Sequence, residues 1–317
     1  MGALEQLVRR IRSTPAFAAK RELAVLNRLG AALDGDDAAA IPSGEGFLLL
    51  CGEAIQPAFV RGHPRAAGAA AVVTNLADVR AMGGRPIGVV DMLISPDRAH
   101  AELVLEGIAW AAGLLGVAVV GGHLTLGGEP ALSASCTGFA RRPLAARNAR
   151  PGDILLAAFC LEGRYGEGGH FFSSLHDRAP AALRDDGEAL VELADAGVVH
   201  AARDVSMPGI AGSLLQLLEA AGCGATLELE RIPRPSGVPL ERWLLTFPTF
   251  GFVLAAPADA AREACEPFLR RGLACAPCGC LDRSGRLRLG WGSERALLWD
   301  LSAAPFTRLP RGAAGST

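Results

Sequence analysis

From residue 3 to residue 33, apolar residues recur at helical spacing: Leu4, Leu7, Val8 and Ile11, then Leu23, Leu26 and Leu29. That is the period of an amphipathic helix. The polar segment Asp34-Gly35-Asp36-Asp37 breaks the pattern and reads as a turn. Phe47 to Cys51 is a short apolar run suited to a buried strand. Ala66 to Met82 reads as a helix, closed by Gly83-Gly84 and Pro86, the residues that stop helices. Ile87 to Ile94 predicts a strand, Ala99 to Leu115 a helix and Val117 to Val120 a strand. Ala131 to Ala140 alternates as a strand should.

A Pro- and Arg-rich stretch from Arg141 to Pro151 then reads as a linker, after which the alternation resumes. Ile154 to Phe159, Thr226 to Leu229 and Phe252 to Ala255 predict strands. Ala181 to Ala194, Ile210 to Ala221 and Ala258 to Arg271 predict helices. Strands alternating with helices in both halves imply an α/β or α+β fold. The expected organisation is an N-terminal domain over 1–145, a C-terminal α/β domain over 146–309 and a disordered tail over 310–317. A length of 317 residues agrees with two domains.

Composition narrows the chemistry. Half of the residues are apolar and 20% are charged, which is globular usage. Lys20 is the single lysine, so no lysine is available for a GxxxxGK[ST] phosphate loop. The net charge of −2, with Tyr165 as the single tyrosine, argues against a nucleic-acid partner, which would require a basic stripe. The stretch from Gly107 to Gly128 has no Asp, Glu, Lys or Arg, but His123, Thr125 and its glycines argue against a membrane span. The opening MGALEQLVRRIRS carries no apolar signal core, and eight cysteines are then expected as reduced thiols in a cytoplasmic protein.

Three clusters carry candidate chemistry. In Gly35-Asp36-Asp37-Ala38-Ala39, adjacent carboxylates repel unless a cation or backbone donors neutralise them, and magnesium takes such oxygen ligands. A solvated turn and helix cap is the alternative reading. In Thr74 to Pro86, Asn75 and Asp78 are three apart and share one face of an otherwise apolar helix. A buried aspartate needs a partner there, either a metal or an arginine. Val119 to Thr125 reads as a strand running into the Gly121-Gly122 pair, which lets a phosphate approach backbone N–H groups or simply makes a tight turn.

In order and spacing, GDDAA, NLADVRAMGGRP, VVGGHLT, ARPGD and DVSMPGIAGSLLQLLEAAG resemble the aminoimidazole ribonucleotide synthetase superfamily. The resemblance covers roughly residues 30 to 255, and it is nearest the thiamine-monophosphate kinase-like branch. It implies a two-domain fold whose N-terminal domain forms the homodimer and a groove for ATP and magnesium. It implies Asp36, Asp37, Asp78, Asp204 and a substitute, Glu53, as magnesium ligands, with Asp78 and Asp204 central to catalysis. It implies Asn75, Gly121, Gly122, His123, Thr125, Arg147 and Ser206 as nucleotide contacts. The implied activity is ATP- and magnesium-dependent phosphorylation or activation of a small-molecule acceptor, with positioning and charge neutralisation doing most of the work.

The pattern also departs from the family. His123 stands where kinase members carry an aspartate, Met207 replaces the second acid of a DxSDG motif, and Cys51-Gly52-Glu53 replaces a short S-T-D stretch. These changes keep open a second reading, an ATP-binding partner protein that has lost catalysis, and a third, a structural dimer with no ligand. Cys275, Cys278 and Cys280 have metal-like spacing but no fourth ligand at a usual interval, so ordinary thiols are the competing reading. Gly163 to His170 is either a loop over the ligand or a surface loop. His176 and His200 read as surface or capping residues. Trp243, Trp291 and Trp299 line a pocket or fill the core.

Overall fold

The computed structural model describes residues 2–29, 35–166 and 169–309. Helix α1 (Ala3–Arg12) buries Leu4, Val8 and Ile11. Thr14 then accepts the Phe17 N–H through its hydroxyl and opens α2 (Pro15–Ala19), a proline-first start that suits a helix. Lys20–Leu29 continues as a 3-10 helix with no buried residue. The helical spacing expected over 3–33 is therefore interrupted at Thr14-Pro15, Leu26 and Leu29 stay exposed, and 30–33 lie outside the described residues. The expected tail 310–317 lies outside them too.

The chain divides into two compact units, and neither is one continuous segment. Unit 1 comprises Met1–Asp36, Leu144–Asp177 and Ala196–Thr317; unit 2 comprises Asp37–Pro143 and Arg178–Asp195. The division at 143/144 falls beside the expected boundary, but the first residues go with the second half, and a short helical segment of the second half goes with the first.

Unit 2 is a five-stranded sheet with helices on one face. Its strands are β1 (Ala39–Ser43), β2 (Gly46–Ile55), β3 (Arg85–Ser95), β4 (Ala118–Leu126) and β5 (Ala131–Ala140), in the order β1-β2-β5-β3-β4. All pairings are antiparallel except β3 with β4. Its helices are α3 (Pro57–Gly62), α4 (Pro64–Ala81), α5 (Arg98–Leu115), α6 (Pro180–Asp186) and α7 (Glu188–Ala196). Helix α4 is alanine-rich, starts on Pro64 and buries residues all around its circumference, as a helix held between two layers must. It crosses α5 backbone to backbone: a methyl group at Gly68 would overlap the Val104 carbonyl oxygen, and one at Gly107 would overlap that of Arg65. The helix expected over 181–194 is split into α6 and α7 at Gly187, where a side chain would overlap the guanidinium of Arg80. Arg80 reaches the Leu183 carbonyl at 3.5 Å, and Asp186 takes a bidentate pair from Arg178, both bonds 2.7 Å.

The Gly121-Gly122 pair is not a turn, as the sequence suggested, but part of β4, which runs on to Leu126. The reason lies next door. Asp91 of β3 pairs with Gly122, and a side chain at Gly122 would overlap the Asp91 carboxyl. Asp91 is 5% exposed, and burial raises its pKa above the usual carboxylate value.

Unit 1 is built on a seven-stranded sheet, β15-β14-β10-β13-β6-β12-β9. In chain order these are β6 (Ile154–Phe159), β9 (Ala201–Asp204), β10 (Gly224–Glu228), β12 (Gly251–Ala256), β13 (Ala274–Asp282), β14 (Arg286–Trp291) and β15 (Glu294–Asp300). A small sheet joins β7 (Arg164–Tyr165), β8 (Phe171–Ser173) and β11 (Phe247–Pro248). Helix α8 (Gly209–Ala221) is buried along most of its length; α9 (Leu240–Leu244) and α10 (Glu266–Leu269) are short. Phe17 joins this core against Trp299 and Phe306, with ring centroids 5.9 and 4.7 Å away, which explains why the first residues belong to unit 1. Glu219 of α8 accepts the N–H groups of Phe306 (2.7 Å) and Thr307 (2.8 Å) and the Thr307 hydroxyl (2.6 Å). The helix expected over 258–271 is mostly turns, with a 3-10 turn at Glu263–Cys265 before α10. Strands β13 to β15 were not anticipated; their Cys-, Pro-, Gly- and Arg-rich sequence hides the alternation.

Two tests follow from unit 2. Gly107→Ala is expected to destabilise by about 1–3 kcal/mol, the cost of overpacking, whereas Gly113→Ala in the same helix, where nothing lies within 4 Å of the new methyl, is expected to be neutral or stabilising. Thermal denaturation of both variants checks the opposite signs. Asp91, with its pKa raised by folding, holds its proton more tightly folded than unfolded. Its contribution to stability therefore falls as pH rises from the ordinary carboxylate value through the raised one. Asp91→Asn removes that loss, so its melting temperature relative to wild type is expected to be higher at pH 8 than at pH 3.5; a pH-independent difference would contradict the assignment.

Candidate functional site

Helix α4 brings Asn75 and Asp78 to one face, as their spacing predicts, yet the two residues do different things. Asn75 is fully buried. Its amide donates to the Ala71 carbonyl at 2.8 Å, and its side-chain oxygen accepts the Cys51 thiol at 3.4 Å. Both ends of the amide take part in bonds within unit 2, and Asn75 ties α4 to β2. Cys51 sits directly opposite Cys136 in the β2–β5 ladder. Burial first, and then the negative charge of Asp78, raise both thiol pKa values, that of Cys136 to about 12.

Asp78 is 7% exposed and lies among these groups. Asp37, where the chain enters unit 2, places a carboxylate oxygen within 4.8 Å of one from Asp78. Two carboxylates at that separation repel each other when both are charged. One hard cation with bonds of about 2.1 Å spans roughly 4.2 Å between opposite oxygens, so a small adjustment lets both bind one ion. The donor set, oxygen alone, suits magnesium.

The preceding residue turns elsewhere. Asp36 accepts the Ala146 N–H at 2.7 Å and lies 3.5 Å from an Arg147 nitrogen, with its side chain 2% exposed. Its charge is met by a backbone donor and a guanidinium, an arrangement that anchors the turn. Arg203 reinforces that turn by donating to the Gly35 carbonyl at 2.7 Å, and Gly35 adopts φ 77°, where a side chain would be strained. The importance of Arg203 was not legible in the sequence, since an arginine inside the short run Ala201–Asp204 reads as an exposed strand residue.

Elsewhere in unit 1, Asp204 ends β9 and is 8% exposed. The chain then passes Val205, whose N–H bonds Gly251 at 2.8 Å, and Ser206, whose N–H is held by the Ser213 hydroxyl at 3.1 Å. Gly209, with φ 68° and no room for a side chain beneath the Leu244 carbonyl, opens α8. Asp204 and Ser206 thus lie at a strand-to-helix turn, the N-terminal end of a helix where negative groups are favoured. Met207 is exposed there.

On β4, Gly121, His123 and Thr125 share one face of an exposed edge strand, with His123 Nε2 3.3 Å from the Thr125 hydroxyl. Glu53 is exposed on β2. His200, expected as a surface or capping residue, pairs with Asp153 at 2.9 Å, and Asp153 also caps the Arg150 N–H at 2.8 Å; the ARPGD segment is a built turn. In the glycine-rich loop, Arg242 stacks 3.6 Å over the Tyr165 ring, and residues 167 and 168 lie outside the described ones. Trp243 and Trp299 are core residues, while Trp291 is exposed. Among the described residues, the group suited to a metal is made of carboxylates, not of the cysteines near 275–280, and no helix is long and apolar enough to cross a membrane.

The family description "AIR synthase related protein, N-terminal domain" matches residues 35–140, and "AIR synthase related protein, C-terminal domain" matches 170–292. The uncharacterized protein sll0787 of Synechocystis sp. is 35% identical over 275 residues, covering 86% of this chain and 85% of its own. Among solved structures, T. maritima PurL complexed with ADP superposes with a TM-score of 0.73 at 20% identity, covering 95% of this chain and 54% of that one. AaThiL complexed with AMPPCP and TMP superposes at 0.67 and 18% identity, covering 84% and 90%. This chain therefore spans about half of the PurL chain it resembles. With both halves matched by the family's domain models and a relative of this identity aligned over most of both chains, the protein belongs to the AIR synthase related family.

Proposed function

We propose that this protein binds ATP together with magnesium and uses it to phosphorylate, or activate through a phosphorylated intermediate, a small-molecule acceptor. One observation carries the reading: the Asp37 and Asp78 carboxylates face each other within 4.8 Å at the buried helix α4. Nucleotide complexes of proteins with the same fold support it. Asp78 is held by a rigid helix and Asp37 by a turn, so the two oxygens are placed before a ligand arrives, which lowers the cost of ordering them. A magnesium ion there would neutralise the phosphate charge that builds up during transfer. Asp204 is proposed as a further metal ligand with a part in catalysis, and Asp36 and Glu53 as additional acidic groups, on the motifs that contain them. Arg147, Ser206, Gly121, Gly122, His123 and Thr125 are proposed as nucleotide contacts on the same ground. A cytoplasmic location is proposed with them.

A second reading, ATP binding without turnover, is favoured by His123 and Met207, which depart from the acids that the resemblance to the kinase-like branch implies there. Sustained, magnesium-dependent ATP turnover with any acceptor fraction separates the two, because the second reading forbids it.

The apolar side chains Leu48, Leu50, Met92 and Ile94 lie exposed on the sheet face of unit 2 opposite its helices. Single exposed apolar residues are ordinary, but two pairs of them on one sheet face, on β2 and β3 with β5 between, support reading that face as an interaction surface. On this ground the protein is proposed to be a homodimer through that face.

Calorimetric titration of ATP, with and without magnesium, against wild type and Asp78→Asn tests the first proposal. Binding is expected to depend on magnesium in wild type and to weaken by at least about tenfold in the variant, since even groups behind the direct ligands cost about 10–100-fold. Equal binding in all four conditions would remove the basis of the reading. For the dimer, sedimentation is expected to show twice the chain mass for wild type and one chain mass for Leu50→Arg/Met92→Arg; a monomeric wild type rejects it.

A further inference from the structure

Unit 1 holds a group of thiols that the ATP chemistry does not use. Cys265 closes the 3-10 turn Glu263–Cys265, and α10 follows directly. The chain then folds back, with the N–H groups of Arg271 and Leu273 bonded to the Phe268 carbonyl and that of Gly272 to the Leu269 carbonyl, each at 3.0 Å. Gly272, at φ 73°, makes the reversal. It delivers Cys275, the second residue of β13, back onto Cys265, and the two thiols are hydrogen-bonded to each other. Cys265 also donates to the Ala261 carbonyl at 3.4 Å and is 6% exposed; Cys275 is half-buried.

The neighbouring cysteines differ. Cys278 occupies the bulge of β13 between Pro277 and Gly279 and is fully buried in the core. Cys280 is exposed. Thus Cys265 and Cys275 combine mutual contact with an opening to solvent at Cys275, Cys278 is sealed in the core, and Cys280 has no described thiol partner.

We propose that Cys265 and Cys275 form a hydroperoxide-sensitive thiol pair that closes reversibly into an intramolecular disulfide. The hydrogen bond from Cys275 lowers the pKa of Cys265, while that same bond, followed by burial, raises that of Cys275. Cys265 is therefore the nucleophile, since the thiolate is the reactive form. Its sulfur attacks one oxygen of hydrogen peroxide; the O–O bond breaks, Cys265 becomes a sulfenic acid and hydroxide leaves. The Cys275 sulfur then attacks the Cys265 sulfur, the S–O bond breaks, and the displaced oxygen departs as water with the Cys275 proton. The proton lost from Cys265 converts the hydroxide to a second water. Two thiols and one peroxide thus give one disulfide and two waters. A dithiol reductant reverses the closure by exchange. The bond would staple the α10 turn to β13, a strand flanked on both sides in the sheet.

The test uses the full chain with Cys280→Ser, which removes the exposed competing thiol. The reduced protein is treated with hydrogen peroxide, denatured, alkylated and mapped by mass spectrometry. The expected result is a linked Cys265–Cys275 peptide, an intact mass lower by two hydrogens before alkylation, parallel loss of alkylation at both positions, and full recovery on dithiothreitol. With Cys275→Ser added, Cys265 is expected to stop at the sulfenic acid and take up dimedone. If that variant does not fold, the parallel loss of the two labels in the Cys280→Ser protein decides the matter alone. Complete alkylation of both residues after oxidation, or linkage of either to another cysteine or another chain, overturns the proposal.

Discussion

A helix that carries a carboxylate can approach a sheet and a second helix together only if volume is surrendered at the crossing. In this protein Gly68 and Gly107 surrender it, letting the backbones of α4 and α5 touch each other's carbonyl groups. The position of Asp78 is inherited from that contact, and the Asn75–Cys51 hydrogen bond fixes the rotation of α4 against β2. Interiors packed to crystal density transmit such constraints rather than absorb them. The separation between the Asp37 and Asp78 oxygens is therefore a property of helix packing as much as of the two acids.

Electrostatics divides the acidic residues into three kinds. Asp36, Asp153, Asp186 and Glu219 are met by backbone donors, arginine or histidine and act as ties. Asp37 and Asp78 bring carboxylate oxygens within 4.8 Å of each other, a separation at which two charged carboxylates repel. Asp91 takes the other route open to a buried carboxyl, a raised pKa in the folded protein. The same residue type thus serves three purposes, and the partner within hydrogen-bond distance decides which.

Much of the fold was legible because apolar segments bounded by Gly, Pro and polar residues are clear in unit 2 and in the middle of unit 1: α4, α5, β5, β6 and α8 lie within about two residues of where the pattern puts them. The failures have local causes. Thr14-Pro15 and Gly187 interrupt helices whose apolar spacing runs straight through, and the Gly121-Gly122 pair reads as a turn until the carboxyl of Asp91 is seen to need the space. At the site, the motifs set Asp36 and Asp37 side by side but could not show that Asp36 meets the Ala146 N–H while Asp37 comes near Asp78. Nor could they reveal that Asn75 is sealed inside. Direction of a side chain is a tertiary property, and adjacent residues in a turn share no face.

The interleaving of the two units has a consequence for synthesis. Unit 2 lacks α6 and most of α7 until residue 195 has been made, and unit 1 needs both the first helices and the last strands. A ribosome releasing this chain from its N-terminus exposes α1 and α2 long before β14 and β15, their partners, exist. The early helices must wait, unpaired, while the five-stranded sheet assembles around contacts nearer in sequence. Such an order of events favours a partly built unit 2 as the first compact species on the nascent chain.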